Sequence, residues 1–214
     1  MRLFFVRHGE SIANAGQIYQ GWLDSPLSPL GEQQALTTAR AIAARPNLRP
    51  VAVYASPLSR AWRTGEAIAD ALGLTPIPHP GLREINVGAA TGLAFTAVKT
   101  RWPDLAAQRQ TQGLDHGWPE GETGHQFLAR VGGTLDEIIA THRHDDGSPE
   151  ATVVLASHGG TIRYALAHLR GETTRWPDDQ IDNCSITEAL IAPDGHQLVE
   201  INCVTHLHAT GGQI

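Results

Sequence analysis

Residues 4–11 read FFVRHGES. The apolar run at residues 3–6 has the length and composition of a buried strand, and it ends abruptly in Arg7 and His8, followed by a glycine, an acid and a hydroxyl. A charged side chain at the end of a buried strand is costly unless it is paired or held by a ligand. Where the chain delivers Arg7 and His8 therefore governs how everything else is read.

Two further stretches repeat the pattern. Residues 51–55 (VAVYA) run into Ser56-Pro57-Leu58-Ser59-Arg60, and residues 152–156 (TVVLA) run into Ser157-His158-Gly159-Gly160. Helical spacing fills the intervals. Ser28-Pro29 carries a helix-start signature: an N-cap serine, a proline at the first helical position, and Gln33 placed to face back toward the cap. Ala35, Ala39, Ile42 and Ala43 continue that helix up to Arg45-Pro46. Ser56-Pro57 repeats the start signal and predicts a helix through Ala61, Ile68 and Leu72 to Gly73. Further helices are expected near 95–102, over 126–141 with Phe127, Val131, Leu135, Ile138 and Ile139 on one side, and after Gly160 through Ile162, Leu166 and Leu169. Residues 75–78, 184–191 and 198–204 read as strands, the last two joined by the turn Pro193-Asp194-Gly195. Strands alternating with helices predict an α/β fold built on a mostly parallel sheet. Residues 80–125 are rich in Gly and Pro, with one plausible helix and with Trp102 and Trp118. They read as an excursion from the core, so 1–214 is expected to be one domain.

Bulk properties narrow the function. A chain of 214 residues, 18% charged and 41% hydrophobic, has an ordinary globular composition. No apolar stretch approaches the roughly 20 residues of a membrane span, and four apolar residues before Arg7 fall short of the about 7–15 of a signal peptide. A cytoplasmic protein with no membrane partner is the default. The net charge of −6 argues against a nucleic-acid partner and makes a cluster of arginines stand out. Cys184 and Cys203, without a C-x-x-C, read as reduced thiols. His142/His144 and His206/His208 lack carboxylate or thiolate company and read as solvated surface, so neither metal nor cofactor is expected. One core explains the apolar faces, which leaves a homodimer open.

In an open parallel sheet the carboxyl ends of the strands share one edge, where ligands bind. Arg7, His8, Arg60 and His158 are therefore expected in one pocket. Two arginines and two histidines in an acidic protein want an anion, and the guanidinium fork matches phosphate oxygens. Asn14 would add a neutral donor, and the helix starts after Ser56 and at Gly159 would add N–H groups. Glu10 and Ser11 either touch phosphate or begin a helix. Two histidines go beyond binding. A neutral imidazole can attack phosphorus, and a second, charged one would stabilise the transferring oxygens. A leaving alkoxide needs a proton, and Glu84 in LREINVG is the candidate donor.

VRHGES (6–11), LSPLGEQQA (27–35), YASPLSRAWRT (54–64), LREINVG (82–88) and ASHGG (156–160), with NCSIT at 183–187, together resemble the histidine phosphatase superfamily, the phosphoglycerate-mutase-like group. The resemblance implies a three-layer α/β/α sandwich with a lid over about 85–125. It implies His8 as the phosphorylated nucleophile, Arg7, Arg60 and His158 as the remaining phosphate pocket, Asn14 as a frequent pocket residue, and Glu84 as the acid that later activates water. Mutases of the family carry a tyrosine and a basic pair in a longer insert. Here the tyrosine is absent from residues 86–110, Arg101 and Arg109 stand apart, and PEGET (119–123) resembles a turn of the small phosphatase branch. A phosphatase acting on a small phosphorylated metabolite is thus expected ahead of a phosphoglycerate-type mutase or a weakly active phosphate-binding regulatory module. Ala89-Ala90 stands where the branch often has Trp-Glu, and Thr123 replaces its usual serine, so the substrate stays unnamed.

Overall fold

The computed structural model describes residues 1–46, 48–143 and 151–208. In chain order the elements are β1 (Arg2–Arg7), α1 (Ile12–Ala15), α2 (Pro29–Ala43), β2 (Pro50–Ala55), α3 (Ser59–Leu72), β3 (Pro76–Pro78), α4 (Phe95–Arg101), α5 (Leu105–Gln112), α6 (Gly124–His142), β4 (Thr152–Ser157), α7 (Gly159–Arg170), β5 (Ile186–Ala192), β6 (Gly195–Cys203) and α8 (Thr205–His208). The six strands form one sheet in the order β3-β2-β4-β1-β5-β6. β3, β2, β4 and β1 are parallel, and β5 and β6 join antiparallel on the far side of β1.

The apolar runs are continuous because the sheet is covered on both faces. Alternate residues point opposite ways. Leu3, Phe5, Val153 and Leu155 join one core with Phe127, Val131, Leu135 and Ile138 of α6 and Ile162 and Leu166 of α7. Phe4, Val6, Val53 and Val154 join the other with Ala35, Ala39 and Ile42 of α2 and Ile68 of α3. The result is the expected three-layer α/β/α arrangement.

Four details differ from the sequence reading. α3 begins at Ser59 with Leu58 as N-cap and no capping side chain, because the Ser56 hydroxyl is used elsewhere. Gln33 does not close the α2 cap. Ser28 accepts from Gly31 N–H and donates to Glu10 Oε1 at 2.7 Å. The excursion carries a second helix, α5, whose sequence LAAQRQTQ has too few apolar residues for periodicity to reveal it. His142 and His206 are not merely solvated: they meet Tyr54 Oη at 3.0 Å and Thr38 Oγ1 at 2.9 Å, while His144 lies outside the described residues. Cys184 and Cys203 are free thiols, and burial pushes Cys184 up to about 12. No helix among the described residues is long and apolar enough to cross a membrane.

Candidate active site

Strand register assembles the site. Arg7 of β1 lies beside Ser157 of β4, and Ala55 of β2 beside Ala156. The next residues, His8, Ser56 and His158, therefore emerge together at the carboxyl edge of the sheet. The His8 and His158 rings stand edge to face, centroids 5.1 Å apart. The turn after β1 is tight enough that a Cβ on Gly9 would lie 2.4 Å from the Gly31 carbonyl oxygen, so the start of α2 packs directly on it.

His8 is 3% exposed and its Nδ1 lies 2.6 Å from the Gly9 carbonyl oxygen. A carbonyl only accepts, so Nδ1 carries the proton and Nε2 keeps its lone pair. Burial, then Arg60 and Arg7, push its pKa well below the ordinary histidine value. His158 is likewise lowered, by burial first and then by Arg60, His8, Arg7 and Arg130, which disfavours the charged form expected of the second histidine. Ser56 Oγ, which accepts from Leu58 N–H, lies 2.8 Å from His158 Nε2. The hydroxyl can donate to or accept from this nitrogen; when it donates, the ring proton sits on Nδ1.

Arg60 is 1% exposed although charged. It donates to the carbonyls of Leu23 and Gly21 at 2.8 and 2.9 Å, and burial lowers its pKa to about 10 against the opposing pull of Glu84 and Asp24. Arg7 donates to the Ile181 carbonyl at 2.7 Å and is also lowered, first by burial. Arg7 Nε, Arg60 Nε and His158 Nδ1 are buried nitrogens with no hydrogen-bond partner. Buried polar groups are normally satisfied; Arg7 and Arg60 line a cavity with His8, and the His158 ring stands against His8, a set that suits an oxyanion.

Glu84 follows a short 3-10 turn at Pro80–Leu82. Its Oε1 accepts from Ile85 N–H at 2.9 Å and its Oε2 from Gly160 N–H at 3.1 Å. A Cβ on Gly160 would sit 2.2 Å from Oε1, so glycine there admits the carboxylate. Arg130 of α6 holds the backbone beneath: it donates to the carbonyls of Gly81, Arg83 and Glu84 and forms a two-pronged pair with Glu122 at 2.7 and 2.8 Å. Glu122 in turn accepts from Asn86 N–H.

Arg7, His8, Asn14, Arg60 and Glu84 line one cavity of about 430 Å3. Asn14 turns its Oδ1 to Ser11. Ser11 is fully buried as the N-cap of α1 and is not among the lining residues. Gly159 is also outside the lining, beneath the Arg7 guanidinium. The remaining walls are aromatic, and of them Trp118 and Phe95 belong to the excursion already read from the sequence. Phe95, Tyr19 and Trp118 stack in sequence at 4.6 and 5.0 Å, and Phe127, Tyr164 and Trp176 at 4.5 and 5.8 Å. Trp102 instead packs against the core, with Arg101 over its ring at 4.7 Å. Tyr19 and Trp176 escape sequence reasoning because they stand in loops without a motif. Ser56 and Arg130 were in view but carried no signal of their roles. Among the described residues, no group of three or more His, Cys, Asp or Glu could hold a metal ion.

Comparison with known proteins gives the family and the fold. Residues 3–204 match the model of the histidine phosphatase superfamily, branch 1. A Hydrogenobacter thermophilus protein provisionally named phosphoserine phosphatase 2 is 30% identical over 207 residues, 96% of this chain and 97% of that one. A Yersinia enterocolitica protein named a probable phosphoglycerate mutase is 32% identical over 174 residues, 80% of this chain and 75% of that one. The solved structure of a mycobacterial glucosyl-3-phosphoglycerate phosphatase complexed with VO3 superimposes with a TM-score of 0.85 at 28% identity, covering 94% of this chain and 99% of that one.

Proposed function

As the chain belongs to branch 1 of the histidine phosphatase superfamily, we propose that it is a phosphomonoesterase that hydrolyses a small phosphorylated metabolite through a phosphohistidine on His8, without a metal ion. The observation that carries this reading is His8, its Nδ1 turned to the Gly9 carbonyl, sharing a cavity with Arg7 and Arg60 and packed against the His158 ring, all three partners bearing a buried nitrogen without a hydrogen bond. His8 Nε2 attacks phosphorus as the ester P–O bond breaks. Arg7, Arg60 and His158 Nδ1–H hold the equatorial oxygens. Glu84 gives its proton to the departing alkoxide, then takes one from the water that attacks the phosphohistidine, releasing phosphate and restoring the imidazole. The two-step route needs a neutral nucleophile, which burial between two guanidiniums supplies.

Relatives named for phosphatase activity support hydrolysis over isomerisation. The aromatic walls above the site leave Arg163 as the one further cation in the cavity, where a mutase must grip a second phosphate. We assign the protein to the cytoplasm. The test is a panel of phosphate esters assayed in EDTA with His8→Ala as control. Release of phosphate by the parent, an acid-labile, base-stable phosphoryl label on it, and loss of both in the variant are expected. Turnover that survives in His8→Ala, or product isomer without free phosphate, overturns the reading.

A further inference from the structure

We propose that Trp22 is a positioning residue for the acid, the grip by which the loop at residues 21–24 ties Glu84 to Arg60. This rests on the phosphatase reading above and adds to it a residue outside the cavity lining. Trp22 stands in the loop between α1 and α2 and is 38% exposed, yet its polar atom is spent on the protein. Its Nε1 donates to the Glu84 carbonyl at 2.7 Å. The Arg83 guanidinium lies 4.2 Å over its ring and donates from Nε to the Pro80 carbonyl at 3.1 Å, so the indole is stacked on a tethered cation. The Glu84 carbonyl and the Ile85 N–H belong to one planar peptide group. That N–H donates to Glu84 Oε1 at 2.9 Å. Trp22 therefore holds one end of the plane whose other end holds the carboxylate.

The residues flanking Trp22 belong to the phosphate arginine. Arg60 donates to the carbonyls of Gly21 and Leu23, so one guanidinium clamps both sides of the tryptophan. Asp24 Oδ1 accepts from Ser59 N–H at 2.7 Å and supplies the capping side chain that Leu58 cannot. Gly21 has a φ of +49°, and a Cβ there would lie 2.7 Å from Val87 Cγ2, so the loop rests directly on the segment that follows the acid. Arg130 reaches the same Glu84 carbonyl from α6 at 3.2 Å. Arg130 thus fixes the acid's backbone to α6, and Trp22 fixes it to Arg60. One loop then sets the spacing between the guanidinium that holds phosphate and the carboxyl that gives the proton. A misplacement of about 1 Å costs on the order of a hundredfold in rate, so a lost tether carries a measurable penalty.

The experiment measures kcat/KM for phosphate esters graded by leaving-group basicity, from p-nitrophenyl phosphate to an alkyl phosphate. It compares the parent with Trp22→Phe, which keeps a ring under Arg83 and removes the N–H. An alkoxide needs the proton of Glu84 and a nitrophenolate departs without it. The loss in Trp22→Phe is therefore expected to grow along the series, from less than about twofold for p-nitrophenyl phosphate to tenfold or more for the alkyl ester. The Kd for inorganic phosphate should stay within about twofold, because Arg60 keeps both carbonyls. Replacing Trp22 by benzothienylalanine, which retains the fused rings and lacks the N–H, should reproduce the pattern with the packing intact. An equal loss on every ester, or no loss on the alkyl ester, in the benzothienylalanine protein overturns the positioning role and leaves the phosphatase reading standing. Failure of the parent to release phosphate from any ester sinks the phosphatase reading itself.

Discussion

At the scale of the residue, the site depends on which nitrogen of each imidazole carries a proton. The Gly9 carbonyl sets this for His8, whereas for His158 it follows from which way the Ser56 hydroxyl donates. Nitrogen-15 NMR of the imidazoles provides the measurement. Both rings are expected in the Nδ1–H tautomer and uncharged well below the ordinary histidine value of about 6.5. A proton on Nε2 of His8 at neutral pH would leave no nucleophile and refute the assignment. The His-Gly pair was legible in the sequence because glycine and histidine punctuate an apolar run. The tautomers were not, since they depend on which oxygen stands opposite each nitrogen.

At the scale of the element, α6 anchors the acid. Arg130 ties the carbonyls on either side of Glu84 to Glu122, so a single helix governs where the carboxylate stands. Arg130→Met leaves the Glu122 carboxylate and three carbonyls without this partner, a loss of about 1.5–3 kcal/mol for hydrogen bonds to a charged group. The expected kinetic signature is specific. Hydrolysis of alkyl phosphates, whose leaving group needs a proton, should fall at least tenfold. p-Nitrophenyl phosphate, whose leaving group departs unaided, should give a burst of nitrophenol followed by slow release of phosphate. Rapid-quench kinetics on both esters measures it, and equal losses without a burst would reduce Arg130 to a structural role. The helix itself could be read from Phe127, Val131, Leu135 and Ile138. Arg130 lies on the same helix, but its function depends on a loop 46–49 residues earlier in the chain.

At the scale of the whole molecule, buried Arg60 and half-buried Arg7 oppose folding unless an anion fills the pocket, and the two buried histidines oppose it where the unfolded chain would charge them. Histidines with lowered pKa bind fewer protons folded than unfolded. Stability is therefore full above the unfolded value of about 6.5 and is lost as pH falls through the lowered values. The thermal midpoint should drop on moving from pH 7.5 to pH 5, more steeply than in a His8→Phe, His158→Phe double variant. Inorganic phosphate should raise the midpoint, roughly as 2.7 kcal/mol of stabilisation at a hundredfold excess over Kd. Scanning fluorimetry with and without phosphate tests both. A midpoint flat between these pH values would mean the histidines are not held neutral in the fold.

The chain order of apolar runs and their polar ends was enough to predict the layered α/β fold, the shared sheet edge and the group of Arg7, His8, Arg60 and His158, while the role of Glu84 leaned on the family resemblance. Burial of a strand on both faces forces a continuous apolar run, and a charged residue at its end has few places to go. The aromatic walls, the Ser56–His158 bond and the Arg130–Glu122 strap belong to tertiary structure alone. Each joins residues from loops and helices far apart in the chain, where no periodicity links the partners and only packing brings an oxygen opposite a nitrogen. The same division separates chemistry from specificity: the nucleophile stands at a strand end that sequence marks, whereas the substrate's body is met by side chains that only the folded chain brings together.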